Sequence, residues 1–167
     1  MPTSASDKFL VVGSGLSGIL MAWELEKRGA DYEVWNSVAK SGPESNSATN
    51  VAAGMFNPVS FKRLVEVWNA QEHMNAMRKT YQSLESFLNL QGELFHVAPI
   101  MRVFPNSQYR DLWSKRLNDT HPVAEFLSDI SDDTPQDIIA PYGFGIVPEA
   151  GWVDLPLLIK SFRSNLE

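Results

Sequence analysis

With 167 residues, the chain is long enough for one ordinary domain with a real core and too short for two large ones. Its formal net charge of -6 comes with no basic stripe to neutralise phosphates, which argues against a nucleic-acid partner, while an apolar fraction of 44% and a charged fraction of 20% are ordinary for a globular chain. The absence of cysteine excludes disulfides, thiolate metal sites and thiol nucleophiles, and agrees with a reducing, cytoplasmic setting.

The first eight residues are polar and lack the basic-then-apolar layout of a signal peptide. No run approaches the ~20 apolar residues of a membrane helix, so no membrane span is expected. Residues 9–12, Phe-Leu-Val-Val, read as an apolar strand that runs straight into Gly13-Ser14-Gly15-Leu16-Ser17-Gly18. This is the G-x-G-x-x-G grammar of a dinucleotide site: Gly13 allows the tight turn, Gly15 lets the backbone approach a pyrophosphate, and Gly18 lets the new helix lie close to the strand. The helix N-terminus then aims its unpaired N–H groups at the phosphates. Ile19, Ala22, Trp23 and Leu25 follow at helical spacing, and Gly29 stands where the helix should stop.

Tyr32, Val34 and Trp35 read as a second strand, completing a β-α-β unit. An acidic residue normally follows such a strand and binds the ribose hydroxyls. Asn36 occupies that place here and can pair with a hydroxyl only as a neutral amide, more weakly than a carboxylate. Glu33 is the other candidate, although strand alternation makes it a solvated residue.

Residues 37–58 are rich in Ser, Asn, Gly and Pro and read as a long connection without regular structure, a length that is usually functional. Val65, Trp68, Met74, Met77, Tyr81, Leu84 and Leu88 then recur at helical spacing, which predicts one amphipathic helix over 65–89, ended by Gln91-Gly92, with the aromatic and Met side chains facing a core. Residues 94–104 look extended, with Pro99 at a bend or edge. Asn106 or Ser107 would cap a helix carrying Tyr109, Leu112, Trp113 and Leu117. A short helical piece at 123–127, an acidic turn-rich stretch from Asp129, short strands at 138–140 and 144–147, and a last helix capped by Asp154 complete the pass. The order of elements gives an α/β fold class: a Rossmann-like FAD/NAD(P)-binding domain formed by 1–92 and 151–167, interrupted by a β-rich second lobe at 93–150. A doubly wound sheet needs further strands, so the chain is expected to be the front portion of a larger architecture, truncated at its C-terminus.

His73, His96 and His121 show no ligand spacing, and the Asp129, Asp132, Asp133 and Asp137 group matches no calcium loop, so no metal is expected. Serine-hydrolase elbows and phosphate-binding Walker loops are absent.

Taken together, the 13–18 fingerprint with Val-Trp-Asn at 34–36, the run SATNVAAGMFNP at 47–58 and Gly-Trp-Val-Asp at 151–154 resemble the FAD-dependent oxidoreductases of the D-amino-acid oxidase and glycine oxidase class. The resemblance spans most of the chain. It implies that Ser47, Thr49 and Asn50 lie near the polar middle of FAD and that Ala52, Ala53 and Gly54 pass the flavin ring. Those residue types suit the task, because hydroxyls can donate and accept along a phosphate or polyol chain, and small side chains let the backbone reach a flat ring. It further implies hydride transfer from the carbon beside the nitrogen of a small amine or amino-acid substrate to the flavin. The substrate-carboxylate arginine or tyrosine of that class lies later than any residue present, so no catalytic residue is assigned, and the chain alone is expected to be inactive. Apolar surface left bare by missing strands is expected to favour homo-oligomers. A nicotinamide-dependent dehydrogenase module and a non-catalytic dinucleotide-binding scaffold stand as the alternatives.

Overall fold

The computed structural model describes residues 8–36 and 48–166. In chain order they form β1 (Phe9–Val12), α1 (Leu16–Lys27), β2 (Tyr32–Trp35), α2 (Ala48–Val51), β3 (Met55–Phe56), β4 (Val59–Ser60), β5 (Val65–Glu66), α3 (Ala70–Leu88), β6 (Phe95–Val97), β7 (Ile100–Val103), α4 (Ser107–Asn118), a 3-10 turn at Pro122–Phe126, β8 (Phe144–Val147), β9 (Gly151–Val153) and α5 (Leu155–Leu166). They divide into two compact units, one of Met1–Gly54, Ser83–Leu94 and Asp154–Glu167, the other of Met55–Gln82 and Phe95–Val153. The second unit thus takes in 55–82, which lie in the nucleotide domain on the sequence reading.

In the first unit β1 and β2 pair in parallel, with Phe9 opposite Tyr32 and Val12 opposite Trp35. A parallel pair requires a crossover, and α1 supplies it. Strand alternation puts Val11 and Val34 on one face, and Val11 is buried there. Leu10, Val12 and Trp35 share the opposite face and are exposed. Helix α1 buries Ile19, Ala22, Trp23 and Leu25, the four positions whose spacing announced it. It stops where the Gly29 N–H reaches the Glu26 carbonyl at 2.9 Å and the Ala30 N–H reaches the Leu25 carbonyl at 3.1 Å, the paired bonds of a Schellman end. Trp23 packs 4.8 Å from Phe87 near the end of α3, and Phe87 in turn lies 6.5 Å from Phe162 of α5. Asp154 caps α5 as its sequence position implied, its Oδ1 accepting from the Leu157 N–H at 2.9 Å. Leu155, Leu158, Ile159 and Phe162 form the buried stripe of that helix.

In the second unit β3, β9 and β6 make an antiparallel sheet in that order, β7 pairs with β8, and β4 with β5. Trp113 of α4 is fully buried against Phe104 at 5.3 Å between rings, with Val123, Phe126 and Val147 in the same core. The buried indole N–H of Trp113 is satisfied by the Ser128 carbonyl, which accepts it at 3.0 Å. Asn106 is the cap of α4, its side chain accepting from the Tyr109 N–H at 2.8 Å.

Four expectations need correction. The helix expected over 65–89 begins at Ala70, and Val65–Glu66 is instead strand β5. Leu64 and Asn69 take left-handed φ values of 47° and 49°, which no continuous helix accommodates, and Trp68 between them is 76% exposed rather than core-facing. Residues 138–140 form no strand: the Ile138 N–H closes a turn onto the Pro135 carbonyl at 3.0 Å, and Ile139 is exposed. The 37–58 connection is not wholly irregular, since Ala48–Val51 make one helical turn and Met55–Phe56 a short strand; residues 37–47 lie outside the described residues. The helical piece at 123–127 is a 3-10 turn at Pro122–Phe126, capped by His121.

Candidate dinucleotide site

Strand β1 ends in the glycine turn. Gly13 has φ +99°, a conformation closed to side chains with a Cβ, and its N–H donates to the Trp35 carbonyl at 2.7 Å, tying the turn to the end of β2. Gly15 caps α1 with extended backbone and offers no side-chain cap to the helix, so the first-turn amides of α1 face whatever acceptor the turn receives. Gly18 lies one turn in. A Cβ there would overlap the Gly13 carbonyl oxygen and stand 2.9 Å from its carbon, so the helix can approach the end of β1 this closely only with glycine.

Thr49, on α2, reaches this turn from 33 residues away: its Oγ1 accepts from the Leu16 N–H at 3.2 Å. A Cβ on Gly15 would sit 3.2 Å from the same oxygen. A hydroxyl therefore already stands at the first helical amide, where the spacing of the sequence calls for an anionic acceptor.

Ser14 is buried at 3% exposure. Its Oγ accepts from Arg163 Nε at 3.0 Å and its carbonyl from Arg163 Nη2 at 3.4 Å. Sequence reasoning missed Arg163, whose only local sign is its place as the basic residue in the last turn of α5. Ser17 is exposed on α1.

Asn36 follows β2 directly and is exposed, and the register that sets Trp35 against Val12 brings it to the sheet edge at which the glycine turn begins. Glu33 is committed elsewhere. It accepts from the Trp35 indole N–H at 2.7 Å and pairs with Lys8 at 3.0 Å, and these two partners hold its carboxyl below the usual range. Ala52 and Ala53 are exposed beyond α2, and Gly54 is half-buried. Asn50 belongs to α2 by its backbone, its side chain lies outside the description, and Ser47 lies outside the described residues altogether.

A concavity of about 520 Å³ in the first unit runs along β2 between Tyr32, Glu33, Phe87 and Phe162 and contains no fingerprint residue. The second unit has a smaller groove of about 360 Å³ lined by Met55, Phe56, His73, Met74 and Met77. Of the other histidines, His96 stacks on Trp152 at 4.1 Å and His121 Nδ1 accepts from the Val123 N–H at 3.2 Å. Asp132 forms a two-pronged pair with Arg110, whose guanidinium holds the carboxyl low. Among the described residues no three metal-ligating side chains gather, and no helix is long and apolar enough to cross a membrane.

Residues 11–84 match the NAD(P)-binding Rossmann-like domain family. The structure is similar to glycine oxidase from Bacillus cereus, with a TM-score of 0.61 and 19% identity over 95% of this chain and 44% of that one. It is similar also to iminodiacetate oxidase from Chelativorans sp. BNC1, with a TM-score of 0.61 and 18% identity over 93% of this chain and 43% of that one. The chain therefore spans less than half the length of these solved structures, and over that length it has their fold, built on a Rossmann-like β-α-β unit with the glycine turn at its centre.

Proposed function

We propose that the chain is the dinucleotide-binding part of an FAD-dependent oxidoreductase that oxidises the carbon beside nitrogen in a small amine or amino acid. The observation that carries the reading is the convergence of Gly13, Gly15 and Gly18 with the Thr49 hydroxyl on the first amide of α1. The fit is physical: a Cβ at Gly18 would overlap backbone, and the start of α1, where Thr49 accepts from the Leu16 N–H and Gly15 gives no cap, leaves further donors for a pyrophosphate. The resemblance in sequence to the D-amino-acid oxidase class and the fold shared with two amine-substrate oxidases support flavin over other dinucleotides.

In this reading the backbone of Gly13, Ser14, Gly15, Leu16, Ser17 and Gly18 cradles the pyrophosphate. Asn36 holds the ribose, Ser47, Thr49 and Asn50 border the polar middle of the cofactor, and Ala52, Ala53 and Gly54 line the ring. Residues 1–92 and 151–167 belong to the cofactor domain and 93–150 to the substrate lobe. When bound, the flavin supplies a two-electron acceptor for hydride; the chain binds, orients and shields it. The setting is cytoplasmic, and the bare apolar face of Leu10, Val12 and Trp35 supports self-association.

A nicotinamide cofactor is the second reading, favoured by the description of the family matched over 11–84. The absorbance spectrum of freshly purified protein, with and without added FAD and after desalting, separates the two. A flavin band that survives desalting is expected; tighter binding of NAD than of FAD would overturn the flavin assignment, and binding of neither would leave a scaffold.

A further inference from the structure

Ser14 is the one buried polar side chain among the described residues, and it stands inside the glycine turn. Both of its oxygens are taken by one guanidinium that arrives from α5, 149 residues later. A planar fork that bonds the side chain and the carbonyl of the same residue fixes the orientation of its peptide plane. In a trans peptide the carbonyl and the following N–H point in opposite directions, and the chain contains no cis bond among the described residues. With the Ser14 carbonyl drawn toward Arg163, the Gly15 N–H is turned away from α5. A hydroxyl that accepts from Arg163 also keeps its own hydrogen free to donate.

We propose that Arg163 is a positioning residue for the phosphates of the dinucleotide: it locks Ser14, holds the Gly15 amide toward the ligand side of the turn, and places a positive charge behind it. The role rests on the dinucleotide reading given above. Arg163 itself is half-buried, so salt reaches its charge and screens it in part, and the charge adds to the salt dependence of phosphate binding. Arg163 thus acts through Ser14 and the backbone rather than by touching the ligand.

The test compares the parent chain with Arg163→Gln, Arg163→Lys and Ser14→Ala in two measurements. In the ligand-free proteins, hydrogen exchange of a peptide covering 9–18 is expected to quicken in Arg163→Gln and Ser14→Ala, while exchange of α4 stays as in the parent. In titrations with FAD and with ADP across ionic strength, Arg163→Gln is expected to weaken both about tenfold at low salt, with a flatter salt dependence. Arg163→Lys keeps the charge without the fork, so it is expected to retain the parent's salt dependence while the turn still exchanges faster. Parent-like exchange in Arg163→Gln would overturn the clamp, and parent-like affinity with an unchanged salt slope would overturn its role toward phosphate. A parent chain that binds none of FAD, NAD and ADP overturns the function proposed above and the ligand role with it, whereas the exchange comparison still decides whether Arg163 orders the turn.

Discussion

The hydroxyl of Thr49 accepts the backbone N–H of Leu16 at 3.2 Å, so a side chain from α2 closes the first turn of α1 in place of the cap that Gly15 cannot provide. The bond does for α1 what a local Ser or Thr cap does elsewhere, at a sequence distance that no capping motif describes. Thr49→Val keeps the shape and removes the acceptor. It is expected to lower the stability of the ligand-free chain by about 1 kcal/mol, within the range for lost caps, and Thr49→Ser by much less. Urea unfolding of the three proteins decides it; a valine variant as stable as the parent would show that water serves Leu16 equally well.

Gly18 lies in the first turn of α1 and Gly29 just past its end, and the two need glycine for different reasons. At Gly29 an added Cβ meets nothing within 4 Å and the strain lies in φ +61° alone, whereas at Gly18 it meets the Gly13 backbone. Backbone cannot swing aside as the end of a side chain can. Gly18→Ala is expected to cost roughly 2–4 kcal/mol and to abolish dinucleotide binding, against about 1 kcal/mol and near-parent binding for Gly29→Ala. Thermal unfolding together with cofactor titration separates the two, and equal losses in both variants would remove the close-approach explanation.

The glycine turn was legible because each of its requirements is local: a positive φ at Gly13 and a missing Cβ at Gly18 are written at the positions that need them. Helices α1, α4 and α5 were legible for the same reason, through caps and buried stripes. Where an element depends on something distant, periodicity misleads. Val65 and Trp68 fit helical spacing, yet the backbone at Leu64 and Asn69 breaks it, and Val65 finds its partner in Ser60 across a strand pair. Arg163 gave no sign beyond its place in the last turn of α5, since a hydrogen bond spanning 149 residues leaves no pattern in either segment. The resemblance placed Thr49 near the polar middle of FAD, and no spacing that capping rules would reveal leads to its bond with the Leu16 N–H.

Asn36 stands where a carboxylate would bind ribose, and the structure leaves it exposed while committing Glu33 to Trp35 and Lys8. Charged acceptors make hydrogen bonds about twice as strong as neutral ones. Under the proposed function, Asn36→Asp is therefore expected to tighten FAD binding about three- to tenfold, with Glu33→Gln neutral. Fluorescence titration measures both. Unchanged or weaker binding in Asn36→Asp would remove Asn36 from the ribose contact and leave the phosphate turn unaffected.

Tyr32 couples the start of β2 to pH. Partial burial, and then the hydrogen bond its hydroxyl donates to Glu26 Oε2 at 3.1 Å, push its pKa up to about 12. The unfolded phenol ionises near pH 10, while the folded one stays neutral, so any stability from this group is fully present below about pH 10 and is lost as pH rises toward 12. Tyr81 is also raised by burial, so the parent titration alone is ambiguous. In Tyr32→Phe the fall of the melting temperature between pH 10 and 12 is expected to be shallower than in the parent, and ultraviolet difference absorbance is expected to lose its late-titrating step from this residue. An identical fall in both proteins would mean that Tyr32 ionises as freely folded as unfolded, and that the Glu26 hydrogen bond is too weak to matter.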